Sequence, residues 1–135
     1  MTTTLGKGFP TGAFTLAEIN TPESIARGAG FLVTVSFTGD PTNAFWRFIR
    51  DLGSVEYRAE LVADAIGPGP DVSLADITDS LDAGFDDYLF TIHVPADGVL
   101  DSGLYELGVV ITFMNAGAVI GGISAFVGDA LMQVR

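Results

Sequence analysis

A cluster of aspartates in the middle of the chain is the first candidate for chemistry. These residues are Asp71, Asp76, Asp79, Asp82, Asp86 and Asp87. They lie in a loop-like segment, and carboxylates converging from a sandwich loop are the oxygen ligands that calcium prefers. The segment lacks the Asp-x-Asp-x-Asp-Gly rhythm of a dedicated calcium loop, so a solvated acidic surface is the competing interpretation. The candidate calcium ligands are Asp76, Asp79, Asp82, Asp86 and Asp87.

Familiar catalytic motifs are absent from the sequence. His93 is the only histidine, which excludes a two-histidine metal site, and a Ser-His-Asp triad would have to use it. The alternation around it places His93 on the outer face of a strand, as an ordinary surface residue. The sequence contains no Gly-x-Ser-x-Gly elbow, phosphate-binding loop or dinucleotide fingerprint. We therefore expect that the chain is not an enzyme and that it binds no cofactor other than calcium.

Composition limits the partners of the chain. Its 135 residues correspond to about one domain, and a 48% hydrophobic content is ample for one core. Seventeen acidic and six basic residues give a net charge of −11, which repels nucleic acid and anionic lipid surfaces. Because there is no cysteine, stability rests on packing without disulfides.

The N-terminal segment is polar and lacks the pattern of a secretory signal. We therefore expect a flexible arm over residues 1–12, a single domain over residues 13–135, and a cytoplasmic location by default. If the chain is a trimmed fragment, an extracellular or assembly-bound location is the alternative.

Several segments alternate apolar and polar residues with the period of a strand. The strongest cover Phe31 to Thr38, Val55 to Asp64 and Asp87 to Val94. Turn signals separate them, and a long amphipathic helix is not indicated. About seven strands in this arrangement predict an all-β protein, an antiparallel β-sandwich. Residues 71–84 are left open as strand, helical turn or loop.

A long hairpin is predicted at the C-terminal end. Its first strand follows Asp101-Ser102-Gly103 and places Tyr105 to Phe113 alternately on one face. The uncharged run from Leu107 to Gly128 is also about as long as a membrane helix. Its glycines and β-branched residues weaken a helix, so we favour the hairpin over a membrane span.

These segments resemble immunoglobulin-like domains. Val33 to Gly39 is similar to the second strand of such a domain, with Phe37 where a cysteine often stands. Trp46 resembles the core tryptophan of the third strand, and Asp101 to Leu107 resembles the sixth-strand motif, with Tyr105 as the corner tyrosine and Leu107 at the second cysteine position. The resemblance implies a disulfide-free immunoglobulin-like sandwich with Phe37, Trp46, Tyr105 and Leu107 in its core.

The hairpin has more apolar residues than a one-sided sheet requires. Its outward set includes Leu104, Val110 and Met114. On the return strand, either Ile120 and Phe126 or the alternate set of Val119, Ile123 and Val127 must face away from the core. The candidate interface residues are Val110, Met114, Ile120 and Phe126. Such a patch usually marks an interaction site. The sequence therefore predicts a non-catalytic structural or interaction module, a homo-oligomer or assembly subunit, that docks through the hairpin and the N-terminal arm. The alternative is a calcium- or carbohydrate-binding sandwich that uses the acidic loop 67–87.

Overall fold

The structure is a computed structural model that describes residues 2–3, 5–9, 14–53, 55–67, 71–82, 84–96, 100–115 and 118–135. For residues 2–3, 5–9, 15–17 and 118–129 the description is of the backbone. In this part of the chain there are ten strands and one helix. In chain order they are β1 (Thr2–Thr3), β2 (Leu5–Phe9), β3 (Phe14–Asn20), β4 (Ser24–Ile25), β5 (Phe31–Gly39), α1 (Ala44–Asp51), β6 (Val55–Ala65), β7 (Val72–Ser80), β8 (Asp87–Val94), β9 (Gly103–Asn115) and β10 (Ala118–Val134).

Two sheets form the fold. The first has the strand order β1-β3-β5-β8, and the second has the order β2-β10-β9-β6-β7, with β4 pairing beside the end of β10. Every pairing is antiparallel except that of β4 with β10. The predicted all-β sandwich is confirmed, and seven of its strands are seven residues or longer.

Alternating burial shows how the sequence pattern sets the faces of the sheets. In β8, the residues Tyr88, Phe90, Ile92 and Val94 are buried and their neighbours are exposed. In β5, the residues from Phe31 to Gly39 alternate in the same way. Because side chains on a strand point alternately to opposite faces, each strand supplies one apolar row to the core.

The C-terminal hairpin is present as β9 and β10, which pair from Ala118 opposite Asn115 to Val134 opposite Gly103. Tyr105, Leu107, Val109, Ile111 and Phe113 are all buried. The membrane-helix alternative for Leu107 to Gly128 is therefore wrong, because the described residues of this segment lie in the two paired strands β9 and β10. Among the described residues, no helix is both long and apolar enough to traverse a bilayer.

The N-terminal segment contributes two strands to the sheets of its own chain. Strand β1 pairs with β3 at the edge of the first sheet, and β2 pairs with β10 at the edge of the second. The division into an arm of residues 1–12 and a domain of residues 13–135 stays a prediction.

Trp46 lies on helix α1, and the expectation that it stands on a third sandwich strand is wrong. The Asn43 side chain accepts a hydrogen bond from the Trp46 backbone N–H (3.1 Å), which caps the first turn. Trp46 and Ile49, three positions apart, share one helix face and are fully buried. The Asn43 cap and the three-residue spacing of the buried pair are features of a helix and not of a strand.

The acidic segment is also different from the expectation. Residues Val72–Ser80 form strand β7, which pairs with β6 at the edge of the second sheet. Of the alternatives left open for residues 71–84, the strand is the one that forms over Val72–Ser80, so the acidic residues between 67 and 87 do not share one continuous loop. Apolar and polar residues alternate only weakly in this segment, because β7 is an edge strand whose residues are half-buried or exposed throughout.

An aromatic cluster fills one end of the core. Phe37 is fully buried and lies against Tyr88, with ring centroids 5.0 Å apart and nearly parallel planes. The Trp46 ring contacts Phe14, Phe37, Tyr88 and Phe113 at centroid distances between 5.6 and 6.3 Å. Such pairs add about 0.5–1.5 kcal/mol each beyond the burial of their area. Because Phe14 and Phe37 come from one sheet and Phe113 from the other, the indole joins the two sheets.

The space for the indole depends on Gly39 at the end of β5. A Cβ atom at this position would overlap the five-membered ring of Trp46. We expect Gly39→Ala to lower the free energy of unfolding by about 1–3 kcal/mol, because the indole must move. Trp46→Ala should cost about 3–5 kcal/mol.

Urea unfolding of both single variants and the double variant measures the coupling. In the Trp46→Ala background, Gly39→Ala should cost much less than in the wild type, since the overlap is gone. Equal costs in the two backgrounds would show that Gly39 acts independently of Trp46.

Candidate functional site

Helix α1 is fixed to the sandwich by Asp86. The Trp46 indole N–H donates to Asp86 Oδ1 (2.7 Å), and the Arg50 guanidinium donates to the same oxygen (2.7 Å). Arg50 also forms an ion pair with Asp51 (2.9 Å). Asp86 directly precedes β8, and its carbonyl accepts a hydrogen bond from the Gly39 N–H (2.9 Å). One residue therefore connects the helix to the first sheet.

These contacts change the acidity of Asp86. The Trp46 indole N–H, followed by the Arg50 guanidinium, holds the pKa of Asp86 below its usual range, against the opposing effect of burial. Hydrogen bonds to the charged form favour that form. Asp86 is therefore a structural carboxylate at neutral pH, with its Oδ1 already occupied by two donors.

The outer face of α1 is apolar and exposed. Phe45, Phe48 and Leu52 follow one another at three and four positions and are 58%, 66% and 40% exposed. Arg47 is exposed on the same helix, and Phe48, Arg50 and Leu52 line a shallow hollow beside it. The sequence analysis missed this surface because it assigned the segment to a strand. The sequence did carry one signal of this surface, because Phe45 and Phe48 are apolar residues in addition to the buried pair Trp46 and Ile49.

The candidate calcium ligands are distributed along β7, β8 and the loop between them. Asp76 and Asp79 lie on β7, Asp82 and Asp86 lie in the loop, and Asp87 begins β8. Asp76 forms an ion pair with Arg58 (2.8 Å), and Asp87 accepts a hydrogen bond from Thr38 (2.9 Å). Within the described ranges, no three His, Asp or Glu side chains come together as a metal site would require. Calcium binding stays a prediction.

A separate pair of carboxylates lies on the outer face of the second sheet. Asp64 and Asp71 share a hydrogen bond, which, with their mutual repulsion, raises the pKa of Asp64. Both residues line a small cleft together with Val62 and Glu106. Sequence reasoning did not foresee this pair, because Asp64 and Asp71 approach only when the chain reverses between β6 and β7.

The remaining predicted core residues lie in the interior. Phe37 and Leu107 are fully buried in the same apolar core. Tyr105 is 7% exposed, and its hydroxyl donates to the Asp101 carbonyl (2.9 Å). His93 lies on the exposed face of β8, opposite Leu32 of β5.

Two of the four predicted interface residues, Val110 and Met114, lie on the outer face of the hairpin. Val110 is 36% exposed and Met114 is half-buried. The Phe126 backbone pairs with Val110. The side chains of Ile120 and Phe126 lie outside the described residues.

Comparison with solved structures shows the fold of the chain and no more. A singly substituted superoxide reductase (neelaredoxin) from Ignicoccus hospitalis is 18% identical, with a TM-score of 0.50, and the match covers 88% of this chain and 79% of that one. The same reductase with no substitution named is 19% identical, with a TM-score of 0.49 and coverage of 90% and 82%.

A beta-glucosidase from Listeria innocua in complex with isofagomine is 15% identical, with a TM-score of 0.47, over 87% of this chain and 16% of that one. No protein-family model and no curated protein matches the chain. The similarity to the reductase supports the all-β fold assignment.

These structures correct one expectation from the sequence. The prediction that the chain is not an enzyme is wrong, because a superoxide reductase, an enzyme by name, has a similar fold. The absence of familiar catalytic motifs therefore does not exclude catalysis. The similarity carries no activity over to this chain, since a fold hosts many functions.

Asp86 makes the stability of the fold depend on acidity. Its pKa is lower in the folded chain than in the unfolded one, so its contribution is present above the unfolded value of about 4 and disappears as the pH falls through the folded value. We expect Asp86→Asn to lower the free energy of unfolding at pH 7, and the difference from wild type to shrink steadily below about pH 4.

Urea unfolding across this range measures the effect. Asp101→Asn is the matched control, because Asp101 pairs with Arg27 in an exposed ion pair that contributes little. A difference between wild type and Asp86→Asn that is independent of pH would contradict the assignment.

Calcium should have little effect on the stability of the chain. Asp76, Asp86 and Asp87 already interact with Arg58, Trp46 and Thr38. A ligand that binds only the folded state raises the Tm. Because these carboxylates already have partners, we expect the Tm to be the same in calcium chloride and in chelator. A saturable rise in Tm that is lost in Asp76→Asn or Asp87→Asn would instead establish a calcium site.

Proposed function

We propose that this chain is an interaction module that associates with itself or docks into a larger protein assembly. The observation that supports this is the exposure of apolar side chains on the outer face of the β9–β10 hairpin. Leu104, Val110 and Leu131 are 44%, 36% and 39% exposed. Exposed apolar groups on a sheet face are typical of surfaces that another protein covers.

The neighbouring strand on the same face provides the contrast. Val110 of β9 is paired with Glu60 of β6. Glu56 and Arg58 lie on the same outer row of β6 as Glu60. Strand β6 therefore has the polar outer row of a sheet that faces water. The apolar residues of β9 and β10 are a local departure from this pattern.

The N-terminal strands support docking in a second way. Strand β1 lies at one edge of the first sheet and β2 at one edge of the second. A strand from a neighbour could extend either edge, because edge strands present unpaired backbone groups. In this proposal the arm stays within its own chain and offers its edges to the partner. A cytoplasmic location stays a prediction.

We propose further that the sandwich is a disulfide-free relative of the immunoglobulin-like superfamily. The bond from the Tyr105 hydroxyl to the Asp101 carbonyl supports this, since a corner tyrosine bonds to backbone a few residues upstream. Phe37 and Leu107 are both buried at the positions where the resemblance places cysteines. The position of Trp46 on a helix departs from the pattern.

The hairpin surface can be tested with one charged substitution. We expect Val110→Lys to weaken self-association, or capture by an assembly partner, by about tenfold or more, because a charge must then be desolvated in the contact. Size-exclusion chromatography with light scattering over a concentration series measures this. Leu32→Lys is the control, since Leu32 is 57% exposed on the opposite sheet. Equal effects of both substitutions would reject the hairpin as the docking surface.

A further inference from the structure

The four terminal strands of the two sheets differ in how well their outer edges are protected. Strand β1 has two residues, the pairing of β2 contains a register shift, and β7 carries Asp76 and Asp79 and also contains a shift. Short length, bulges and charges of this kind make a sheet edge pair less readily with another chain. Strand β8 has eight residues in unbroken register with β5 and contains no proline or lysine. In the described part of the chain, β8 pairs with β5 and with no other strand.

The hydrogen bond at the start of β8 shows which backbone groups face outward. The Gly39 N–H donates to the Asp86 carbonyl, and these two residues continue the register in which Thr38 faces Asp87. Bonded and non-bonded pairs alternate along an antiparallel ladder. Every second residue after Asp86 therefore bonds to β5. The others direct N–H and C=O groups to the open side: Asp87, Leu89, Thr91 and His93.

We call these four residues and their backbone groups the β8 edge. All four side chains are exposed on the outer face of the sheet. Leu89 is 73% exposed, more than any other large apolar side chain in the described part of the chain. Within the residues that the structure describes, the β8 edge thus combines an unpaired backbone with an apolar side chain near its centre.

We propose that the β8 edge pairs with the β8 edge of a second copy of this chain, antiparallel across a two-fold axis. This proposal deepens the proposed function and rests on it, because it adds to the hairpin surface a second contact through which the module associates with itself. The four-stranded first sheet of one copy would then continue into that of the other as one sheet of eight strands. The exposed faces of the two sheets would lie on the same side of this larger sheet.

The sequence of β8 selects one register. With Phe90 opposite its symmetry mate, Asp87 faces His93 of the other copy, and Leu89 faces Thr91. Each copy thus sets the Asp87 carboxylate opposite an imidazole of the other copy, and complementary polar pairs across neighbouring strands are stabilising. All four residues of the edge then bond to the partner as hydrogen-bonded pairs.

The two neighbouring registers are less favourable. A shift in one direction sets Asp87 opposite Pro95, which has no N–H to donate. A shift in the other direction sets His93 opposite Phe85, whose N–H already donates to the Asp82 carbonyl (3.2 Å). The register with Phe90 on the axis avoids both losses.

Thr91→Pro tests the edge with little change to the monomer. The Thr91 N–H faces the open side, so a proline there removes no bond to β5 but blocks a partner strand. We expect the dissociation constant of the dimer, measured by sedimentation velocity, to rise by at least about tenfold. Leu32→Thr is the control, because it removes an exposed leucine from the same face one strand inward, and it should leave the constant unchanged.

Charge exchange tests the register itself and does not depend on proline being tolerated. Asp87→Lys should weaken the dimer by about two- to tenfold, the range of exposed charge pairs, and adding His93→Glu should restore it. Far-ultraviolet circular dichroism and the Tm verify that each variant is folded. Failure of the second substitution to restore affinity would reject this register.

The outcomes separate this proposal from the proposed function. If the wild type self-associates and Thr91→Pro or Asp87→Lys is folded and associates equally well, the β8 edge is rejected while self-association stands. If Thr91→Pro is monomeric and Val110→Lys is unaffected, the β8 edge is supported and the hairpin surface is rejected. A wild type that stays monomeric at micromolar concentrations rejects the β8 dimer and leaves docking into another protein as the proposed function.

Discussion

The Trp46 indole is the contact on which the rest of this structure depends. Its ring lies against Phe37 of one sheet and Phe113 of the other, and its N–H donates to Asp86. A two-sheet sandwich is stable only when both apolar faces are covered, and a large ring at one end covers both at once. Gly39 leaves the space for the ring, and Arg50 adds a second bond to Asp86. Helix α1 is therefore part of the core rather than a surface addition.

This arrangement also explains why α1 exposes aromatic residues. Because Trp46 and Ile49 fill the buried face, Phe45 and Phe48 must lie on the other one. Together with the outer face of the hairpin and the β8 edge, they give the chain more exposed apolar surface than its fold requires. Such surface is costly in water unless another molecule covers it, which is the physical basis for proposing that the chain is an interaction module.

Charge constrains how copies of the chain can meet. A net charge of −11 repels identical copies at long range, so that association must come from short-range contacts. Backbone hydrogen bonds at a sheet edge and buried apolar side chains are contacts of this kind. The most acidic edge strand, β7, is the one that carries Asp76 and Asp79, whereas β8 places Leu89 and Thr91 at its centre. Charge thus protects one edge and leaves the other able to pair.

The amino-acid sequence was sufficient to define the strands and their buried faces. The two-residue period of Tyr88 to Val94 and of Tyr105 to Phe113 is local information, and burial followed it. The sequence was not sufficient for α1 and β7. The short run around Trp46 fits either period until its Asn43 cap and the space beside Gly39 select the helix, and β7 is a strand because β6 offers it backbone partners. The pairing of Asp86 with Trp46 and Arg50, the meeting of Asp64 with Asp71, and the open side of β8 likewise depend on which strands become neighbours, because that decides which distant residues meet.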